Sequence, residues 1–210
     1  IELRSSPKKA RRIYITDTEV NHLAHSLATP TDIIIPTHFI DSLAGPLMKK
    51  KSKIHRIDGL HGHVHLHPHM RPSSISNPPK VLIRRLLGDG IHDSDEILSI
   101  PNDWLEGLDL SYADENEITD NPWDLTTKIS QMDGVLTQSV TLASEAVLLG
   151  VPTLLMSKAR RGFLDRLVDE GHPLFIAKEI DESILAAWLA GLHLTDALEE
   201  PNWPDTKSEL

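Results

Sequence analysis

The chain has no cysteine. That excludes a disulfide scaffold, a thiol nucleophile and a cysteine-ligated zinc site, and it fits a reducing compartment. Aromatic residues supply only 4% of the composition, so the core has to rest on Leu, Ile, Val and Ala. No apolar run approaches the length of a membrane span, and no secretory signal stands ahead of the first element. The expectation is therefore a cytoplasmic protein. The chain opens on Ile1 rather than Met, so its true start can lie elsewhere. What is present is ordinary for a globular protein: 210 residues, 40% hydrophobic and 25% charged. That is enough for one substantial core, or for one domain plus part of another.

The formal net charge of −10 is unevenly spread. Arg4, Lys8, Lys9, Arg11 and Arg12 form one basic run, and Lys49, Lys50, Lys51, Lys53 and Arg56 a second. Residues 91–122 carry Asp93, Asp95, Glu96, Asp103, Glu106, Asp109, Asp114, Glu115, Glu117 and Asp120 with no Lys or Arg. An acidic surface disfavours nonspecific nucleic-acid binding. The basic runs read either as solvated loops or as attractors for an anionic partner.

Apolar runs and breakers give the order of elements. Residues 12–15 read as a strand, and Thr16-x-x-Glu19 has capping-box spacing that predicts a helix to about Leu27. A strand over 31–35, an irregular or short helical segment over 39–50 and a strand over 54–57 follow. Residues 58–79 hold Gly59, Gly62, Pro68, Pro72, Pro78 and Pro79 and read as a long loop. A short helix is predicted over 81–87 and stopped by Gly88, and the acidic stretch 91–122 shows no sustained period. A helix over 123–132 leads into the centre of the chain. Beyond it come a helix over 160–170 closed by Gly171, a strand over 174–177, and a helix capped by Asp181 or Ser183 that buries Trp188. Residues 195–210 read as a frayed acidic tail.

Residues 133–156 are the most telling stretch. Two apolar runs, 134–136 and 153–156, read as strands buried on both faces, with one helix of about ten residues between them. Gly150 can end that helix in a left-handed conformation, and Pro152 blocks its continuation. This is a strand–loop–helix–strand unit of a parallel sheet. Its loop, 137–141, is rich in hydroxyls and sits at the positive end of the helix, where first-turn N–H groups lack internal partners and can hold a phosphate. Glu145 falls about one turn in, where its carboxylate can accept from sugar hydroxyls. A plainer reading stands beside this one: Ser139 or Thr141 caps the helix, and Glu145 complements its dipole.

The order "hydroxyl loop, x, Glu-Ala, apolar residues, Leu-Gly-Val-Pro" resembles the C-terminal domain of GT-B-fold nucleotide-sugar enzymes. These include UDP-N-acetylglucosamine 2-epimerase and lipid A disaccharide synthase. More closely, the chain resembles an uncharacterised archaeal and bacterial family with this expected fold. Further segments carry that match: Ile13-Tyr14-Ile15-Thr16-Asp17-Thr18-Glu19; Asp58-Gly59-Leu60, Val64-His65-Leu66 and Arg71-Pro72; and Phe163-Leu164-Asp165-Arg166 with Glu170-Gly171. The resemblance implies an α/β fold, a Rossmann-like parallel sheet with flanking helices. It divides the chain into the remnant or end of an N-terminal domain (1–57), an interdomain loop (58–79), a C-terminal nucleotide-sugar-binding domain (80–194) and an acidic tail (195–210). It also implies a nucleotide sugar, UDP-linked, as substrate rather than a cofactor, for a glycosyltransferase or a sugar epimerase. Three departures matter. The span between Gly88 and Asp133, where the C-terminal domain should open with a clear strand–helix–strand, is short and acidic instead. Only eleven residues precede Arg12, where a GT-B protein has most of a domain. The glycine-rich loop of the resembling enzymes is replaced by Gln138-Ser139-Val140. A second chain or a missing N-terminal domain is the expected partner. The alternative is a non-catalytic member that binds a ligand or another subunit.

Gln138, Ser139, Thr141 and Glu145 are thus the candidate substrate-binding residues, with Arg160 and Arg161 as cations able to pair with a diphosphate. Asp17 and Glu19, between a strand and a helix, are the candidate catalytic carboxylates, as general base or as acceptors from substrate hydroxyls; the competing reading is the capping box. His61, His63, His65, His67 and His69 would share one face of an extended strand and can ligate zinc at such spacing. Pro68 and Gly62 interrupt such a strand and no carboxylate stands nearby as support, so no metal site is expected.

Overall fold

The computed structural model describes residues 10–59, 61–66, 74–85, 100–113, 124–192 and 204–209. The chain divides into two compact units: Ile1–His65 with Arg160–Arg166 and Trp203–Leu210, and Leu66–Ala159 with Leu167–Asn202.

Unit 1 is built on a three-stranded parallel sheet in the order β1 (Ile13–Ile15), β2 (Asp32–Pro36), β3 (Lys53–Ile57). Ile33 and Ile35 of β2 are fully buried and pack with Phe39, Ala44 and Leu47. Burying an Ile of this kind contributes about 1.5–3 kcal/mol. Residues 39–50 form two single 3₁₀ turns, Asp41–Leu43 and Leu47–Lys49, parted at Gly45. Helix α1 covers only His22–Leu27, because Asn21 is its N-cap and accepts from the Ala24 N–H. The capping box expected at Thr16 does not form. The Thr16 N–H is spent on the Ile34 carbonyl, extending the sheet, and Glu19 is drawn to other backbone amides. Tertiary acceptors outbid the local ones.

The expected loop 58–79 contains a short helix, α2 (His61–His65). His61, His63 and His65 therefore do not share the face of a strand; His67 and His69 lie outside the described residues. The ring of His65 stands 4.8 Å from that of His61, one turn apart, and its Nδ1 lies 3.1 Å from the His61 carbonyl. Among the described residues no group of three or more His, Cys, Asp or Glu is placed to hold a metal ion.

Unit 2 is built on a five-stranded parallel sheet: β4 (Lys80–Arg84), β5 (Asp109–Tyr112), β6 (Gly134–Thr137), β7 (Thr153–Met156) and β8 (Leu174–Ala177), in the spatial order β5-β4-β6-β7-β8. Its helices are α3 (Asp124–Ser130), α4 (Val140–Leu148) and α6 (Glu182–Gly191); α5 (Gly162–Asp169) begins in unit 1 and passes into unit 2 at Leu167. The central strands β6 and β7 are buried at every position. Val81, Ile83, Leu136, Leu154, Leu185, Trp188 and Leu192 form the core, so Trp188 is buried as its helical spacing predicts.

Two readings of this region are corrected. Residues 81–87 were expected to be helical, but Val81–Ile83 belong to β4, which pairs with both β5 and β6. An apolar run this short suits a doubly buried strand as well as a helix, and the two neighbours supply every backbone partner. The acidic stretch is not featureless either: Asp109–Tyr112 is an edge strand whose Ser111 and Tyr112 align with Leu82 and Ile83. Helix α5 starts two residues later than expected, at Gly162, and residues 206–209 of the expected frayed tail form a short helix, α7 (Thr206–Glu209), with Thr206 buried. The endpoint at Gly88 and the parts of the tail before residue 204 lie outside the described residues.

Helix α4 ends as its sequence dictates. Gly150 has φ +77°, its N–H donates to the Val147 carbonyl, and the Val151 N–H donates to the Ala146 carbonyl. That pair of bonds is a Schellman motif, and a residue with a Cβ is strained at such a φ.

Candidate functional site

Numbered by chain order within unit 2, the strand sequence is 2-1-3-4-5. In an open parallel sheet of this order the chain turns outward in opposite directions from the first and third strands. Their C-terminal ends leave a crevice at which ligands collect. Here those strands are β4 and β6. Arg84 and Arg85 close the one; Thr137, Gln138 and Ser139 close the other, with Arg84 in register beside Thr137. The predicted loop thus lies at the switch point of the sheet.

The loop is tightly organised. Thr137 is fully buried, and its Oγ1 accepts from the Ser139 N–H at 2.9 Å. Gln138 is buried and its N–H donates to the Arg84 carbonyl, which joins the ends of the two strands. Ser139 is the N-cap of α4; its Oγ accepts from the Leu142 N–H and its carbonyl from the Ala143 N–H. The first-turn amides of Val140 and Thr141 have no acceptor among the described residues. Thr141 is exposed, and Glu145, the sixth residue of α4, is half-buried. The capping role weighed for Ser139 is therefore real, and two donors remain at the helix tip beyond it.

Arg84 and Arg85 were missed at the sequence level because 81–87 read as a helix. The signal was available: a β-branched run, Val81-Leu82-Ile83, bounded by Pro79 and ending in two cations. The Arg85 guanidinium lies 5.5 Å from the centre of the Tyr112 ring, at the end of the neighbouring strand. The Tyr112 carbonyl in turn accepts from Lys128 Nζ at 2.9 Å. Arg84, Arg85 and Lys128 are thus the cations the described residues bring to this end of the sheet.

Asp17, Glu19, Arg160 and Arg161 belong to unit 1. Asp17 is half-buried in the turn after β1. Glu19 is wholly buried; its Oε1 accepts from the N–H of Ile40 at 3.1 Å and of Gly162 at 2.9 Å, and its Oε2 has no hydrogen-bond partner among the described residues. Gly162 is the first residue of α5, so this carboxylate sits on the positive end of that helix. A side chain at Gly162 is not admissible, since a Cβ there would collide with the His38 carbonyl oxygen and press on Glu19 Oε1. Arg161 is half-buried. Its burial lowers the guanidinium pKa while the Glu19 charge opposes that shift, and its Nη1 donates to the Arg160 carbonyl. Arg160 is exposed and reaches Asp165 at 3.4 Å.

Sequence reasoning also missed His38. Both of its ring nitrogens are buried without a hydrogen-bond partner among the described residues. Burial, followed by the Arg166 charge, pushes its pKa down to about 4, against the opposing pull of Asp58. Asp58 and Arg166 form an ion pair at 2.6 Å. Burial works against the Asp58 carboxylate, but the hydrogen bonds from Arg166 and from the Gly59 N–H outweigh it, and its pKa is lowered. No motif marks His38; it follows β2 by two residues, and only folding brings Arg166 to it.

The chain has a Rossmann-like α/β architecture, with parallel sheets flanked by helices. Among solved structures the chain is similar to TarM, with a TM-score of 0.52 at 9% identity, covering 92% of this chain and 46% of TarM. It is also similar to the pneumococcal O-GlcNAc transferase GtfA, solved in complex with UDP and GlcNAc, with a TM-score of 0.45 at 14% identity, covering 88% of this chain and 45% of GtfA. The chain thus spans less than half the length of either. No protein-family model and no curated protein matches it. No helix among the described residues is long and apolar enough to cross a membrane.

Proposed function

We propose that unit 2 binds a nucleotide sugar, UDP-linked, as the donor-binding part of a GT-B-like glycosyltransferase or sugar epimerase. One observation carries this reading: the switch point of the parallel sheet coincides with the start of α4, where two first-turn amides have no acceptor among the described residues. In this reading the diphosphate accepts from the N–H groups of Val140 and Thr141 and from the Thr141 hydroxyl. Ser139 holds the helix tip open to it, and Gln138 fixes the loop to β4. Arg84 and Arg85 balance the phosphate charge from the neighbouring strand end. Glu145 accepts from the ribose hydroxyls. In unit 1, Asp17 serves as base toward a substrate hydroxyl, Glu19 holds the start of α5, and Arg160 and Arg161 offer positive charge to an anionic substrate.

Thermal unfolding with UDP and UDP-N-acetylglucosamine tests the reading. A ligand at one hundred times its Kd stabilises the native state by about 2.7 kcal/mol. We expect such a rise with a uridine nucleotide, and its loss in Glu145→Ala. A melting curve unmoved by every nucleotide would overturn it.

A second reading, a ligand- or partner-binding subunit without catalysis, is favoured by Gln138-Ser139-Val140 in place of glycines. The β-branched Val140 narrows the approach of a phosphate to the backbone. It predicts nucleotide binding that is weak or absent, and no release of UDP from any UDP-sugar.

A further inference from the structure

The histidine run of the sequence has no part in the switch point of unit 2. Its described members lie in α2, so the spacing that matters is helical. Residues four apart on a helix are neighbours on one face. His61 and His65 are such a pair, with ring centres 4.8 Å apart and planes inclined at 47°. His63 lies two residues from either, off that face, and is buried.

Two imidazoles on adjacent turns make a chelate when both reach one ion. With metal–nitrogen bonds of about 2.1 Å, ring centres 4.8 Å apart subtend about 100° at a shared ion. Tetragonal and tetrahedral ions both accept that angle. The hydrogen bond at His65 adds to the fit. A carbonyl oxygen only accepts, so His65 Nδ1, 3.1 Å from the His61 carbonyl, carries the proton. In the neutral ring Nε2 then presents the lone pair. A metal-ligating histidine makes this kind of second bond, which fixes its tautomer and the direction of its ring. The support that no neighbouring carboxylate gives is thus supplied by the backbone. His61 is exposed, so an ion reaches the pair from solvent.

The platform is anchored as well. Just ahead of α2, Asp58 Oδ1 accepts from the Gly59 N–H and from Arg166 at 2.6 Å. Gly59 has φ +100°, and a Cβ there would collide with Thr206 of α7, which packs against α2. A helix of five residues is marginal alone. Held at this corner, it sets its two imidazoles in place before an ion arrives.

We propose that His61 and His65 form a two-imidazole clasp for a divalent first-row transition ion, with water in the remaining positions. Imidazole nitrogen suits zinc, nickel and copper, and Cu(II) binds tightest of the three. The clasp needs no third protein ligand, in keeping with the lack of a larger cluster among the described residues. The proposal is independent of nucleotide binding in unit 2.

The test titrates the tag-free 210-residue chain with each ion alone. By nitrogen NMR, the first equivalent of Zn(II) should shift the ring nitrogens of His61 and His65 together, ahead of the remaining histidines. By calorimetry, Cu(II) should bind more tightly than Zn(II). His61→Ala and His65→Ala should each weaken Cu(II) binding about tenfold or more. Replacing His67 and His69 together by Ala should leave the affinity unchanged. The NMR reading uses the unsubstituted chain, so it decides even where a variant fails to fold. Shifts confined to one of the two rings would overturn the proposal. So would an affinity that survives either substitution, an affinity lost with His67 and His69, or no saturable binding of either ion.

Discussion

Glu19 and Gly162 show how little a residue's chemistry says before its neighbours are known. Glu19 has the spacing of a capping residue, but its carboxylate is carried inside unit 1 and satisfies two amides from distant parts of the chain. Removing it strands both donors, each at a cost of about 1–3 kcal/mol. We expect Glu19→Ala to lose about 2–4 kcal/mol in urea unfolding and Glu19→Gln to lose less, because the amide oxygen still accepts. Gly162→Ala should cost about 1–3 kcal/mol by overpacking against the His38 carbonyl and Glu19. An unchanged urea midpoint in that variant would show that the turn at His38 yields freely.

At the scale of elements, strand–helix–strand grammar was well written in the sequence around α4. β7 and β8 have the bounds their apolar runs predict, β6 runs one residue further, and Asp181 caps α6 through the Ile184 N–H. Such cues are local, so they survive in the sequence. Gly150→Ala tests one of them: a Cβ in the left-handed region costs about 1–2 kcal/mol, so a drop of that order in unfolding free energy is expected. The same grammar failed at β4. Val81-Leu82-Ile83 is too short to declare a period, and what makes it a strand is pairing with β5 on one side and β6 on the other. With that strand went Arg84 and Arg85, whose place at the switch point no local pattern announces.

For the molecule as a whole, acid is the informative perturbation. His38 is held down to about 4 from an ordinary 6.5, so the native state binds its proton later than the unfolded state does. Its contribution is complete above about pH 6.5 and is lost as pH falls toward 4. Burial lowers the His25 pKa in the same sense. Asp32, held far down by Arg11 and then by His55 and Thr31, and Asp58 behave differently. Their contribution is present above the ordinary carboxylate range and disappears only below it. Urea unfolding should therefore weaken in two stages, by about 1–2 kcal/mol between pH 6.5 and 4 after allowing for partial exposure, and again beneath pH 4. His38→Gln should flatten the first stage and leave the second. A first stage that persists in that variant would assign it to His25.

The sequence by itself determined the class of this protein: short doubly buried strands, one well-punctuated helix and the hydroxyl-rich loop between them, because burial on both faces and helix termini leave marks within a few residues. Tertiary structure alone decided which of those ends meet. The 2-1-3-4-5 order that makes the Gln138–Ser139 loop a switch point, the amides that claim Glu19 and the ion pair beside His38 all join residues far apart along the chain. Pairing of that kind is set by packing and by the search for backbone partners, and no local sequence pattern encodes either.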